Sequence, residues 1–518
     1  DDRTSRGLGD VYKRQALINF VHGVDQTDMR DRDSDDDGQV EKLGDVVYSQ
    51  PVIVEQQNGS FNSFSGYTSF LNSQASEPRI FLVGANDGML HAFDMETGQE
   101  LWAYIPSSQL KYLERLARLT YNRQYYRAFV DGFIKVLDVY VGGNWRTYAM
   151  FGLKEGGSQY VVLDITDRDN PSLVYEVDPL TDAGQSWSRP AVVYSGASSS
   201  SNDPGQFSWY MAVGTGEEKT TAGTNLLVYS LSSSLPPSPS VIPISASDPA
   251  GTRTSSIVIS QNDRDLNIDR LYLGTEEGDV YRVHVSGSPG SWNVQRLYNG
   301  TSSQPVTGEP ALVLVDNPQY DVAYTTGPQS LALAVGAYFG TGRYDKLSDA
   351  TTVGGVSQRM IGIFDPVNTV ADSYEGVLTN MSASNLQNES VSAFDVSKGS
   401  DGVYRIPDAY SSSKAGFYID LDTSITLTSD SYINPVGMVT HKPVNVRGTL
   451  LFSTYLPNED ECSVGGYGFV QAVNFRSAGT SVVDNHIDPT APFYNGGLHD
   501  YDESGQVDGN DLAAGYSS

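Results

Sequence analysis

Ile80–Pro106, IFLVGANDGMLHAFDMETGQELWAYIP, decides the fold. Ile80–Val83 alternates and branches as a strand does. Gly84-Ala85-Asn86-Asp87-Gly88 follows as a turn, because Asp-Gly tolerates the positive φ that a tight hairpin demands. Met89–Asp94 is a second strand, Glu96-Thr97-Gly98 a second turn, and Glu100–Tyr104 a third strand. Short strands running up, down and up, with turn residues at fixed offsets, make most of one propeller blade.

Similar units recur along the chain. Phe129-Val-Asp-Gly132 through Val139-Tyr140 gives strand, turn, strand; Thr147–Leu153, Gln159–Thr166 and Leu173–Val177 form the next unit. Trp209–Gly214 with Leu226–Leu231 forms another. Arg270–Gly274, the turn Glu276-Glu277-Gly278-Asp279 and Val280–Val285 repeat the opening pattern. Leu331–Gly336, Tyr338–Gly342 and Met360–Phe364 make one more, and Gly416–Leu421, Thr449–Tyr455 and Phe469–Phe475 finish the set. Roughly six to eight units fall within the propeller range, and the expectation is an all-β propeller of about seven blades with short helical inserts. Leu43–Val54 is expected to supply a strand that closes the ring, and Ser107–Leu119 a helix with Ser107 as N-cap and Leu110, Leu113, Leu116 and Ala117 on one face.

Composition agrees. The chain has 518 residues, with Gly 51 and Tyr 32 against 19% charged residues, which favours a turn-rich β protein. The formal charge is -30, from 33 Lys and Arg against 63 Asp and Glu, so the chain repels phosphate and nucleic acid is excluded as a natural partner. No apolar run approaches the ~20 residues needed to span a bilayer. Cys462 is the sole cysteine, so no intrachain disulfide forms.

The expected organisation has four parts. Residues 1–15 are Arg-rich, lack a period and are read as a non-native leader. Residues 16–42 are a lead-in, with a helix candidate at Ala16–Gly23 and an acidic loop, Asp31 to Val40. Residues 43–478 carry the propeller. Residues 479–518 are a tail ending in an EF-hand-like loop.

The acidic loops are the candidate chemistry. Calcium takes hard oxygen ligands, and acidic or amide side chains at every second position of a tight loop can converge on one ion. Asp500, Asp502, Ser504, Gln506 and Asp511 fit ligand positions of an EF-type loop, with Gly505 at the sharp turn and Asp511 in place of the usual Glu. A disordered acidic tail is the plainer reading. Asp33, Asp35 and Asp37 before Gly38 resemble half of such a loop, but the position that should bear Glu is Gly44. No nucleophile elbow, phosphate loop or zinc-type His pair is present.

The order of motifs is specific. Leu43-Gly-Asp45, Ser49-Gln-Pro51, Val83–Asp94, Phe129-Val-Asp-Gly132, Trp145-Arg146, Gly156-Gly157 with Leu163-Asp-Ile-Thr166, Tyr338-Phe-Gly-Thr-Gly-Arg-Tyr344 and Tyr455-Leu-Pro457 succeed one another. This succession resembles the C-terminal β-propeller of the PilY/PilC-type type IV pilus tip adhesin and biogenesis family. Ala92–Gly98 with Trp102 also resembles the tryptophan-docking repeat of quinoprotein-like propellers, in which the Trp wedges between neighbouring blades. The resemblance implies a calcium-binding propeller at the cell surface, at the tip of an extracellular fibre and associated with the outer membrane. It implies partners among minor pilins and other tip proteins, adhesion to host or abiotic surfaces, and no enzymatic activity. It places the calcium loop just before the strand Leu271–Gly274, so Asp263, Asp265, Asn267 and Asp269 become candidate ligands. The loop here is shorter than the family's. The rival readings are a quinoprotein-type dehydrogenase propeller and a passive extracellular scaffold.

Overall fold

The computed structural model describes residues 2–33, 38–55, 61–121, 126–196, 202–232, 235–261, 266–316, 333–344, 356–367, 378–388, 397–398, 404–405, 414–421, 438–446, 449–457 and 466–475. The chain divides into two compact units, Asp1–Gly251 and Thr252–Ser518.

The first unit holds three four-stranded antiparallel sheets, each a meander in chain order. The first sheet is β1 (Val52–Val54), β2 (Ile80–Gly84), β3 (Leu90–Asp94) and β4 (Glu100–Tyr104). The opening hairpin forms as expected: Gly84 pairs with Leu90, Ala85 N–H donates to Met89 O at 3.0 Å, and Gly88 takes φ 103. The second sheet is β5 (Ile134–Val141), β6 (Asn144–Phe151), β7 (Tyr160–Asp164) and β8 (Ser172–Val177). The third is β9 (Ala191–Gly196), β10 (Phe207–Gly214), β11 (Thr224–Ser230) and β12 (Ser240–Ser245).

The core lies between sheets. Val54, Ile80, Leu82, Leu90 and Ala92 from the first sheet pack against Ile134, Ala149, Phe151, Val161 and Leu163 from the second. Each Val, Leu, Ile or Phe among them contributes about 1.5–3 kcal/mol on burial. Trp102 packs on the same cluster, and its Nε1–H donates to Arg168 O at 2.8 Å on the β7–β8 connection. The docking role expected of Trp102 between neighbouring blades is therefore met.

The second unit repeats the plan. Its first sheet is β13 (Val258–Ser260), β14 (Arg270–Gly274), β15 (Val280–His284) and β16 (Asn293–Tyr298). The next sheet has five strands, in the order β17 (Ala311–Asp316), β18 (Leu333–Gly340), β19 (Arg359–Val367), β23 (Gly416–Asp420), β20 (Gln387–Asn388). A ribbon of β21 (Ser397–Lys398) and β22 (Tyr404–Arg405) precedes a sheet of β24 (Val444–Val446), β25 (Thr449–Pro457) and β26 (Gly466–Asn474). Six blade-sized sheets thus stand among the described residues, a number compatible with the roughly seven blades expected.

β18 shows why these strands read as continuous apolar runs. Val335, Ala337 and Phe339 join one cluster with Tyr272 and Val280, while Ala334 and Tyr338 join another with Leu450 and Phe452. Both faces of the sheet are buried, so the period-two alternation separates two cores instead of core from solvent.

Several local expectations are corrected. Of Leu43–Val54 only Val52–Val54 is a strand, and it pairs antiparallel with β2 in the first sheet, Val52 opposite Leu82. Phe129–Gly132 is loop, because its groups are spent on the contacts described below. Gly416–Asp420 belongs to the five-stranded sheet, with Asp420 opposite Arg359, and not with the strands after it. Ser107–Leu119 splits into a 3-10 turn, Ser107–Tyr112, and a short α-helix, Leu113–Ala117. Pro106 occupies the N-cap; Ser107 instead bonds Glu176 through Oγ, and its N–H reaches Glu176 Oε1 at 3.0 Å. The lead-in helix runs from Asp2 to Val21, further upstream than the period at Ala16–Gly23 indicated.

Candidate metal loop and the cluster of motif residues

The candidate ligands fall at the mouth of β14 and in the C-terminal tail. Asp263 and Asp265 lie outside the described residues, as do Asp500, Asp502, Ser504, Gln506 and Asp511. Asn267 and Asp269 are described. Leu266 beside them takes φ 65, a left-handed backbone that L-residues rarely adopt, so this segment is tightly turned. Ile268 is buried, and Asp269 is 7% exposed. The Asp269 N–H donates to Ser260 O at 3.0 Å, and its carbonyl accepts from Val285 N at 2.8 Å. The turn is therefore anchored to the sheet at its last residue. Upstream, Asp33 Oδ2 accepts from Gly38 N at 2.9 Å and Asp31 Oδ1 from Asp33 N at 3.0 Å. Among the described residues, no group of three or more His, Cys, Asp or Glu side chains is placed to hold a metal ion.

Directly behind the loop lies a buried ionic cluster. Asp365, on β19, has no exposed surface and takes ion pairs from both Arg270 and Arg282. Arg270 Nη1 reaches Asp365 Oδ2 at 2.9 Å, and its Nη2 donates to Pro366 O at 2.9 Å. Tyr272 OH donates to the same Oδ2 at 2.7 Å. Burial opposes the charge on Arg270, but Tyr272 and Asp365 outweigh it and raise its pKa, with Asp269 adding to the effect. Burial, then Asp365, pushes the Tyr272 phenol upward. Sequence reasoning missed Asp365. The available signal was a lone carboxylate closing the apolar run Met360–Phe364.

The motifs Leu43–Asp45, Ser49–Pro51, Val83–Asp94 and Phe129–Gly132 meet in the first unit. Asp131, 1% exposed, accepts through Oδ1 from the backbone N–H of Val47 (3.2 Å), Tyr48 (2.7 Å) and Ser49 (3.0 Å). Ser49 Oγ accepts from Gly84 N at 2.9 Å. Asn86 Oδ1 accepts from Phe129 N at 2.8 Å, and its Nδ2 donates to Tyr126 OH at 2.7 Å. Gly44 N–H donates to Asp87 Oδ2 at 2.8 Å, and Asn86 N–H returns a bond to Asp45 O at 2.9 Å. Gly156 completes the packing: a Cβ there would lie 1.7 Å from Phe129 O, so only glycine fits. Leu43–Ser49, the Ala85–Met89 turn and Phe129–Gly132 are thus one hydrogen-bonded knot. Backbone amides on a buried carboxylate are charge-assisted bonds, each worth ~1.5–3 kcal/mol. The knot's chemistry is saturation of backbone groups, which makes it architectural.

His91 stands beside the knot. Its Nδ1 lies 2.6 Å from Glu100 Oε1, and its Nε2 lies 3.0 Å from Asp87 Oδ2. After β6, Lys154 holds its ammonium over the rings of Tyr48 (3.7 Å), Phe133 (4.4 Å) and Trp187 (4.9 Å). That cation–π box links the segment before β1 to the segments that open the second and third sheets. The same architecture recurs in the second unit. Gly274 N donates to Ser255 Oγ at 2.8 Å, as Gly84 does to Ser49, and Glu276 accepts from Arg253 N at 3.0 Å, as Asp87 does from Gly44.

Comparison with known proteins places this arrangement. The family model described as the PilY1 beta-propeller domain matches residues 43–398. The type IV pilus biogenesis factor PilY1 homolog of Xylella fastidiosa is 27% identical over 446 residues, covering 83% of this chain and 32% of that protein. The type IV pilus biogenesis factor PilY1 of Pseudomonas aeruginosa is 25% identical over 472 residues, covering 84% of this chain and 38% of that protein. The chain thus spans about a third of the length of these relatives, which are named as biogenesis factors. The crystal structure of the Pseudomonas aeruginosa PilY1 C-terminal domain superposes with a TM-score of 0.61 at 19% identity, over 92% of this chain and 93% of that one. No helix among the described residues is long and apolar enough to cross a membrane.

Proposed function

Because this chain belongs to the PilY1 beta-propeller family, we propose that it is the calcium-binding propeller of a protein at the tip of the type IV pilus. In this reading it supports pilus assembly, restrains retraction and takes part in adhesion to host or abiotic surfaces. Its partners are minor pilins and other tip proteins, and its place is the cell surface. The carrying observation is the family match over residues 43–398, a span that contains the knot around Asp131. The name shared by the relatives supports the pilus assignment.

The calcium reading rests on the chemistry of the donor set. Asn267 and Asp269 bring an amide oxygen and a carboxylate to a tight turn, and Asp263 and Asp265 add two carboxylates in sequence. These are the hard oxygens that calcium takes. The second loop, at Asp500, Asp502, Ser504, Gln506 and Asp511, offers the EF-type pattern. A ligand that binds only the folded state stabilises it by mass action. Calorimetry with chelator and then with millimolar calcium should show a rise in melting temperature, and Asp265→Ala should remove most of it. An unchanged melting temperature in the parent chain would discard the calcium assignment. Co-purification with minor pilins tests the assembly role separately, and a propeller that captures none of them is a passive scaffold.

A further inference from the structure

The connection from β10 to β11, residues 215–223, closes around a cation carried by the chain itself. Lys219 is 4% exposed, although Glu218, Thr220, Thr221 and Ala222 around it face solvent. Its Nζ lies 2.8 Å from Thr221 O, 2.7 Å from Thr221 Oγ1, 3.1 Å from Ala222 O and 2.9 Å from Gly223 O. An ammonium has only three protons to donate. Four oxygens at these distances therefore surround it as a coordination shell does. The backbone is bent to make that shell: Glu218 takes φ 62 and Gly223 φ 91. Left-handed backbone at a residue other than glycine is costly and persists only where the surroundings impose it. The far wall is fixed from the sheet, since Gly223 N–H donates to Asp248 O at 2.8 Å, and Asp248 in turn accepts from Thr224 Oγ1 at 2.8 Å and Ser245 Oγ at 2.6 Å.

We propose that Thr221–Gly223 is a binding site for a weakly hydrated monovalent cation, of the ammonium and potassium class, occupied in this protein by Lys219. The four oxygens around Nζ are neutral carbonyls and a hydroxyl. Rings of carbonyl oxygen replace the hydration shell of a singly charged ion, whereas calcium draws on carboxylates. Asp182 is the acid whose field acts on Lys219, and it is not one of the four oxygens around it. The tether matters because an ion that belongs to the chain is always present, so this turn keeps its form whatever the surrounding salt.

The test removes the tether and returns the ion. The full chain, Lys219→Ala and Lys219→Met are compared in choline chloride, potassium chloride and ammonium chloride at equal ionic strength. Amide hydrogen exchange is read on the peptide spanning residues 215–226. In choline, exchange in K219A should be about tenfold faster than in the parent chain, the loss expected for one charge-assisted interaction. Ammonium or potassium should slow it again in K219A and not in K219M, whose side chain fills the cradle without charge. Should K219A fail to fold in choline, recovery of folding in ammonium or potassium supports the site. Failure in every salt overturns it. So does exchange in K219A equal to the parent's, or a salt response shared by all three proteins.

Discussion

His91 sits between carboxylates contributed by two elements, Asp87 on the β2–β3 turn and Glu100 on β4, with the Phe93 ring stacked beside it at 5.9 Å. Burial alone would lower its pKa. Hydrogen bonding and charge from Asp87, then from Glu100, more than reverse this and raise it above 6.5. A base whose pKa rises on folding stabilises the fold while it is protonated. That contribution is complete below 6.5 and fades as pH climbs through the raised value. His91→Gln should therefore be less stable than the parent chain at mildly acidic pH, with the gap closing as pH rises through the raised value. Thermal unfolding across that range checks it, and a gap that stays constant contradicts the assignment. Asp131 works at the same scale by different means. It acts through backbone amides, and its three bonds hold Val47, Tyr48 and Ser49 against the loop before β5.

At the scale of elements, Asp365 ties β19 to β14 and β15 through two guanidinium groups and a phenol. Removing one member of a buried ion cluster leaves the others charged and unpaired, at a cost of ~3–5 kcal/mol. Asp365→Ala should lose stability in that range in urea unfolding, whereas an exposed acid such as Glu114, which pairs with Arg118, should lose less than ~1 kcal/mol. Equal losses would show that the cluster is not coupled as drawn. The same strands show what a sequence makes legible. The hairpins at Ala85–Met89 and Thr275–Asp279 were plain because turn chemistry is local: a positive φ calls for Gly88 and Gly278. Trp102 was legible through the resemblance of Ala92–Gly98 and Trp102 to a tryptophan-docking repeat. Phe129–Gly132 misled, since its residues alternate as a strand does, yet Asp131 faces amides 82–84 positions upstream. Long-range satisfaction of backbone groups leaves no local pattern. A subtler signal went unread. Pro51, Pro190, Pro310 and Pro443 each stand immediately before the first strand of a sheet: β1, β9, β17 and β24. A residue with no N–H is tolerated where a strand begins, and the proline fixes the direction from which the chain arrives. The candidate metal loop owed its position before β14 to the family resemblance alone; Asn267 and Asp269 lead into that strand, and Asp263 and Asp265 lie outside the described residues.

The whole molecule carries a charge of -30. So large an excess of one sign strains the folded state by self-repulsion, and salt screens it within about 10 Å at 0.1 M. With calcium removed by chelator, the melting temperature should therefore rise as sodium chloride is added from a few millimolar to about 0.15 M. A fall over that interval would mean that attractive surface pairs outweigh the excess. The sheets are held by cores such as the one joining Ile80 and Leu82 to Phe151 and Leu163, and by a few buried acids such as Asp131 and Asp365.

β18 and β19 have one further consequence. An ordinary surface strand can drift in composition along its wet side while its dry side is preserved. These two strands possess no wet side. A methylene added at Val335 displaces the neighbour on the left, and one added at Ala334 displaces the neighbour on the right. Change there must come as compensating exchanges with the adjoining slices, which leaves length variation to the connections and makes the central slices the slow clock of the fold.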